Sequence, residues 1–247
     1  MRNTEIERLF SGLIGEEYEL LRVMHPEAAE MSKRVGEFVS NNGTSGAGLP
    51  LKVLEIGCGT GITTLALLNS REDIHLTSVD NEPTMLNQAR QNLSRWIEKG
   101  QVILVENDAL SALCDLPDDS LDMVASAYTL HNFLNSYREK ALAEILRALK
   151  PGGIFVNGDR YGLDDFEAHT QQVQTEVKRY FEVLMERNRT DVLEQWILHL
   201  FSDESPHHVM RTQPTLQTME AIGFYPVEEH YRQGINALVS GRKPKTS

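Results

Sequence analysis

Cysteine is scarce in these 247 residues: only Cys58 and Cys114 occur, and they form no Cys-x-x-Cys pair. A disulfide framework and a thiolate zinc site are thereby excluded. Long apolar runs are missing too, since no stretch approaches the roughly 20 residues that span a bilayer. Basic charge is in deficit, with 24 Lys and Arg against 36 Asp and Glu for a formal net charge of -12. A field of that sign repels phosphate backbones and anionic lipid, so neither nucleic acid nor a membrane is expected as partner. The first residues, Met1 to Arg8, carry acids where a secretory leader needs a basic run and an apolar core. The expected location is therefore cytoplasmic. Also absent are the dipeptide Gly-Lys of a phosphate loop and a Gly-x-Ser-x-Gly nucleophile elbow.

What is present suits one globular α/β chain. Hydrophobic residues make up 40% and charged ones 24%, and a chain this long can cover a sheet on both faces. Residues 4–40 repeat apolar side chains at helical spacing, first Ile6, Leu9, Phe10 and Leu13, later Met31, Val35, Phe38 and Val39. A Gly/Ser/Asn-rich linker follows at 41–48. Strands are then expected at 51–56, 74–80, 102–106, 121–128 and 154–158. Helices alternate with them at 60–69, 83–99 and 136–149, the last closed by Lys150-Pro151-Gly152-Gly153. That alternation means right-handed βαβ units and a parallel sheet. The rhythm breaks at 162–212, a long helical insertion. A helix at 214–222 and two strands, 224–231 and 236–240, should close the chain as an antiparallel hairpin. The expectation is a Rossmann-like doubly wound sheet of seven strands in a single domain over 1–247. Its parts are a helical cap (1–40), a core (51–161), a lid (162–212) and the final helix and hairpin (213–247).

The chemistry concentrates where the first strand ends. Glu55-Ile56-Gly57-Cys58-Gly59-Thr60-Gly61 is a glycine-rich turn opening a helix, where bare backbone can lie against a ligand. A dinucleotide fingerprint needs its third glycine one residue later, where Ile62 stands. Strand two ends in Asp80-Asn81, placing a carboxylate beside the turn. Asp80 could accept both hydroxyls of a ribose or cap the following helix. Strand three ends in Glu106-Asn107-Asp108-Ala109. There Asp108 could take an adenine amine or start a turn. Cys58 sits in the turn without a base to activate it, and Cys114 is expected as a small core side chain.

These three features, followed in order by strand four and the Leu149-Lys150-Pro151-Gly152-Gly153 turn, resemble the class I S-adenosylmethionine (SAM) methyltransferases. The wider likeness is to a bacterial small-molecule branch that includes the carboxy-SAM synthase of tRNA wobble-uridine modification. It rests on the N-terminal helical segment, on Tyr128-Thr129-Leu130-His131-Asn132-Phe133 after strand four, and on the insertion after strand five. The resemblance implies SAM as cofactor. It implies a cofactor site made of Tyr18, Glu55, Gly57, Cys58, Gly59, Asp80, Asn81, Asp108, Ala109 and Ala127. Tyr18 corresponds to a tyrosine that closes over the cofactor in relatives, or is a helix-face aromatic. In the synthase, an arginine in the helix before the penultimate strand holds the extra carboxylate. Here that position is Thr218, and the nearest arginine is Arg211. Plain methyl transfer to a small molecule is therefore expected. A synthase-like activity or a non-catalytic SAM-binding protein are the alternatives.

Methyl transfer from a sulfonium needs alignment first and a base only for a protonated acceptor. Tyr128, His131, Asp159, Arg160 and Tyr161 fall at the edges of strands four and five. His131 is expected as base or as a hydrogen-bonded helix start, with Tyr128 beside it as the second catalytic candidate. Arg160, Tyr161 and the lid's Trp196 are expected at the substrate, although Arg160 could equally pair with an acid. His199, His207 and His208 gather imidazoles, yet no metal is expected. The sequence is compatible with a monomer or a homodimer.

Overall fold

A computed structural model describes residues 24–46 and 48–245. Tyr18, and the helical segment expected ahead of residue 24, lie outside the described residues.

The described chain begins its regular structure with α1 (Pro26–Asn42) and continues β1 (Leu51–Ile56), α2 (Ile62–Ser70), β2 (Ile74–Asp80), α3 (Pro83–Asn92), α4 (Ser94–Glu98) and β3 (Val102–Glu106). There follow α5 (Ala109–Cys114), β4 (Leu121–Ala127), a 3-10 turn (Leu130–Asn132), α6 (Asn135–Ala148) and β5 (Leu149–Arg160). The insertion supplies α7 (Phe166–Glu186) and α8 (Leu193–Asp203), before α9 (Thr212–Ile222), β6 (Val227–Gln233) and β7 (Asn236–Arg242). The seven strands lie in the order β3-β2-β1-β4-β5-β7-β6. Only β7 runs against its neighbours. The expected fold is found.

Why these segments form these elements is visible in their burial. All seven residues of β4 are buried, as a central parallel strand requires with helices on both faces. One core packs α6, α5 and α9 on one face of the sheet; a second packs α1, α2, α3 and Trp96 on the other. Gly36 lets α1 approach α2 closely, because a Cβ there would stand 2.7 Å from the carbonyl oxygen of Ala66. A third, smaller core joins α7 and α8 to the entry of α1 through Met24, Tyr180, Leu184, Trp196 and Leu200.

Four local expectations are corrected. The helix over 83–99 breaks at Leu93 (φ -106°, ψ 7°), whose side chain is buried and packs beside Gly61. The Pro151-Gly152-Gly153 segment is a bulged stretch inside β5 rather than a turn ahead of it, with Leu149 already paired to Leu121. β6 starts at Val227: Pro226 has no N–H to give the ladder, although its carbonyl accepts the Arg242 N–H at 3.1 Å. Cys114 is exposed at the end of α5, where Leu113 takes the inward position.

The sheet order sets the site. β1 leads to β2 and β3 on one side, and β4 then starts the other half, so the strand order reverses between β1 and β4. Crevices at such a reversal receive ligands in open α/β sheets.

Candidate functional site

A cavity of about 170 Å³ opens at this reversal point and runs from the glycine turn to beneath α7 and α8. Its floor is polar at both ends and apolar between them, so two halves can be separated.

The first half is built on the turn after β1. Gly57, Gly59 and Gly61 hold φ of 72°, 52° and 92°, the left-handed region open to glycine. At Gly57 the requirement is double, because an added Cβ would collide with the side chain of Thr129. Gly57, Cys58 and Gly59 all line the cavity. Asp80 stands opposite, its Oδ2 accepting the Gly59 N–H at 2.7 Å and its Oδ1 the Glu82 N–H at 2.9 Å. It does not cap α3, because Glu82 does so by accepting the Thr84 N–H at 3.2 Å. Burial pushes the Asp80 carboxyl up, against the pull of the Glu82 and Gly59 N–H groups. Asn81, Ala109 and Ala127 line the same half.

Two expected members of this half face elsewhere. Glu55 is fully buried and absent from the cavity wall, its Oε2 accepting the Thr64 hydroxyl at 2.7 Å and the Ser78 hydroxyl at 2.6 Å. In β1 its side chain alternates away from the edge, into the seam between α2 and β2. Burial pushes this carboxyl up to about 7. Asp108 caps α5, accepting the Ser111 N–H at 3.0 Å and the Tyr137 hydroxyl at 3.0 Å. Its neighbour Asn107 is the polar residue that reaches the cavity. Burial of the Cys58 thiol pushes its pKa well up, leaving an inert apolar wall.

The second half is built from residues far apart in the chain. The β4–β5 register sets Ala127 beside Gly158, so Tyr128 and Asp159 leave adjacent strand ends. Asp159 is completely buried. Its Oδ2 accepts the Leu130 N–H at 2.9 Å and the Asn157 amide at 3.3 Å, while Oδ1 meets His131 Nδ1 at 2.5 Å. Burial would raise its pKa, but the charge and hydrogen bond of His131, with the Arg160 N–H, hold the carboxyl below its usual value. An ionised Asp159 accepts from Nδ1–H, so a neutral His131 ring would carry its lone pair on Nε2. His131 lines the cavity, with the Tyr128 ring edge-on 5.8 Å away. Tyr128 adopts φ 50° and its hydroxyl bonds Asn236 Oδ1. Burial pushes the phenol well up, so Tyr128 stays protonated as a donor.

The substrate-side expectations divide. Trp196 lines the cavity, and its Nε1–H is buried without a hydrogen-bond partner. Arg160 lines it too, but its Nη1 donates to both Glu176 oxygens at 2.7 and 2.8 Å and its Nη2 to Glu204 at 2.9 Å. Glu204 in turn holds His169 Nε2 at 2.6 Å. The guanidinium thus ties α7 and the end of α8 to β5 instead of waiting for a substrate carboxylate. Tyr161 is excluded from the cavity, being a core side chain bonded to the Asn157 amide at 3.0 Å. It follows Arg160 and points to the opposite sheet face.

The sequence reading missed His25, Tyr180, Asn236 and Asp203. His25 Nε2 meets the Tyr180 hydroxyl at 2.6 Å across 155 residues, a pairing no local pattern announces. Asp203 did have a signal, since it stands one helical turn after His199. The other two imidazoles leave the site: His207 is exposed, and His208 bonds Ser205 at 2.9 Å.

Comparison with known proteins bears on the fold and on residues 53–153. Residues 53–153 match a family model described as a methyltransferase domain. The demethylmenaquinone methyltransferase of Leptospira interrogans is 39% identical over 109 residues, covering 44% of this chain and 43% of that one. The carboxy-S-adenosyl-L-methionine synthase of Shewanella sediminis is 24% identical over 149 residues, covering 60% and 58%. The chain spans about half the length of these curated relatives. In fold it is similar to a Methanococcus maripaludis protein proposed to be a SAM-dependent methyltransferase, with TM-score 0.60, 16% identity, and 94% and 93% coverage.

Proposed function

We propose, from the similarity of residues 53–153 to a methyltransferase-domain family model and from the site's geometry, that the protein moves a methyl group from SAM to an oxygen or nitrogen of a small molecule. The observation that carries this reading is the continuity of one cavity from the Gly57–Gly59 backbone and Asp80 to the His131–Asp159 pair. The first half fits an adenosyl group. Its backbone is bare where a side chain at Gly57 would collide with Thr129, and Asp80 is a half-buried acceptor suited to ribose hydroxyls. When bound, SAM supplies a methyl group on a positively charged sulfur.

The chain's own residues do the remaining work. Ile56, Val79, Met85 and Phe133 provide an apolar wall that excludes water from the middle of the cavity. The cover made by α7, α8 and the entry of α1 acts as a lid, locked by Arg160 and by Arg179, which donates to both Glu27 oxygens at 2.9 Å. Such enclosure favours orientation, which alone supplies roughly 7–11 kcal/mol to a displacement. His131, aimed by Asp159, accepts at Nε2 the proton of an acceptor O–H or N–H. Tyr128, held protonated with its O–H given to Asn236 Oδ1, does not act as base.

The synthase reading is disfavoured by the position of the cations. Arg211 donates to the Leu163 carbonyl and lies over the Phe166 ring at 4.3 Å, away from the cavity. Arg160, the guanidinium lining the cavity among the described residues, is held by two carboxylates.

Calorimetry with SAM, followed by mass spectrometry of mixtures containing small phenols, alcohols and amines, tests the proposal. Saturable binding and release of S-adenosylhomocysteine with a methylated product are expected. Absence of SAM binding, or saturable binding of NADH in its place, overturns the reading. A copurified ligand heavier than SAM by a carboxylate would assign the synthase activity.

A further inference from the structure

Behind Trp196, three buried side chains converge on the acceptor end of the cavity: His131 from the turn after β4, and His199 and Asp203 from successive turns of α8. One ligating atom from each lies within 4.8 Å of the other two. We propose that these three residues bind one divalent transition-metal ion of the zinc, cobalt or manganese kind. The proposal rests on the reading that this end of the cavity receives the methyl acceptor.

Four observations support it. His199 Nε2 and Asp203 Oδ2 stand 3.5 Å apart; two ligands about 2.1 Å from a shared ion at a tetrahedral angle lie about 3.4 Å apart. Asp203 Oδ1 is buried with no hydrogen-bond partner, a costly condition for a carboxylate oxygen that a bound cation would relieve. His131 already has the outer contact that metal-bound histidines carry, its Nδ1 against the Asp159 carboxylate at 2.5 Å. That contact fixes the ring and leaves Nε2 for the ion. Finally, two imidazoles and one carboxylate form the donor set of sites that keep coordination positions open, and here those positions face the cavity.

Nearby charge does not oppose occupancy, because Arg160 is neutralised by Glu176 and Glu204 rather than by Asp203 alone. Ligation and proton acceptance use the same Nε2 lone pair. A loaded site therefore passes the acceptor's oxygen or nitrogen to the ion as its next ligand, favouring acceptors with a second donor atom that can chelate.

The test is titration of the chelator-treated full chain with Co2+, followed by visible absorption and, separately, by calorimetry with SAM. Ligand-field bands saturating at one equivalent per chain, and displaced by Zn2+, are expected. Asp203→Asn and His199→Ala should each weaken Co2+ binding at least about tenfold, while SAM affinity stays at the wild-type value. No stoichiometric uptake by the wild type, or uptake unchanged in both variants, overturns the site. If Asp203→Asn also loses SAM binding, His199→Ala decides alone. Co2+ uptake without SAM binding would leave the metal site standing and remove the methyl-transfer reading. SAM binding without Co2+ uptake does the reverse.

Discussion

The two halves of the cavity are made in different ways. The half proposed to hold the adenosyl group is short-range: Gly57, Cys58 and Gly59 are consecutive, and Asp80 is the last residue of the next strand. The acceptor half draws on residues 25, 128–131, 159–160, 180 and 196–203, with contacts such as Leu130 to Asp159 and Arg160 to Glu204 joining distant segments. The first half is stable as local backbone geometry on a parallel sheet. The second combines residues at the β4 and β5 ends with side chains that α7 and α8 bring in. If the proposed roles hold, a locally built cofactor half and a separately assembled acceptor half would let one fold take different acceptors, since lid and turn residues can change while the glycine turn stays.

Substitutions can separate the halves. His131→Ala should have the largest effect, lowering turnover by about a thousandfold with SAM affinity unchanged. Steady-state kinetics beside SAM calorimetry would read both, and a parallel loss of affinity would erase the distinction between the halves. Arg160→Ala strips the half-buried Glu176 of its ion pair and leaves the half-buried Glu204 with His169 alone, and should destabilise the fold by about 3 kcal/mol. Chemical denaturation would measure this, and hydrogen exchange should place the loosening in α7 and α8 before the sheet. Asp80→Ala should weaken SAM by about a hundredfold at nearly constant stability; unaltered affinity would remove the cofactor placement.

The remaining effect, read as a pH dependence, belongs to Glu55, beside the glycine turn. Burial raises its pKa from the ordinary 4.5 to about 7. The folded protein keeps a proton there that the unfolded chain releases. This group's stabilisation is thus complete below about pH 4.5 and lost as pH rises through 7, amounting to about 3 kcal/mol. Glu55→Gln should flatten the fall in stability between pH 5 and 7. An identical pH profile in the variant would show that Glu55 is ionised in the fold.

Legibility in the sequence follows the same division. The glycine turn was readable because strand, turn and helix are contiguous and left-handed φ demands glycine. Asp80 was readable because it ends a strand beside that turn. Glu55 and Asp108 were misplaced for want of orientation, as a one-residue change of direction sends a side chain into the seam or onto a helix cap. Tyr161 failed for the same reason. Arg160 was placed at the cavity correctly, but its partners Glu176 and Glu204 are 16 and 44 residues away, so its role as a lid anchor was hidden. Asp203 was hidden less deeply, since its spacing from His199 is one turn of a helix whose inward face the apolar pattern outlines through Trp196 and Leu200.

The amino-acid sequence by itself determined the alternating βαβ order, the closing hairpin and the bare peptide turn with its acid, because hydrophobic period and backbone freedom act over a few residues. Tertiary structure alone decided that His131 is oriented by Asp159, that Arg160 fastens the cover, and that two histidines and an aspartate meet. Those outcomes depend on sheet register and on how α7 and α8 settle over the strand ends, and both are set by packing between segments that local propensity does not link.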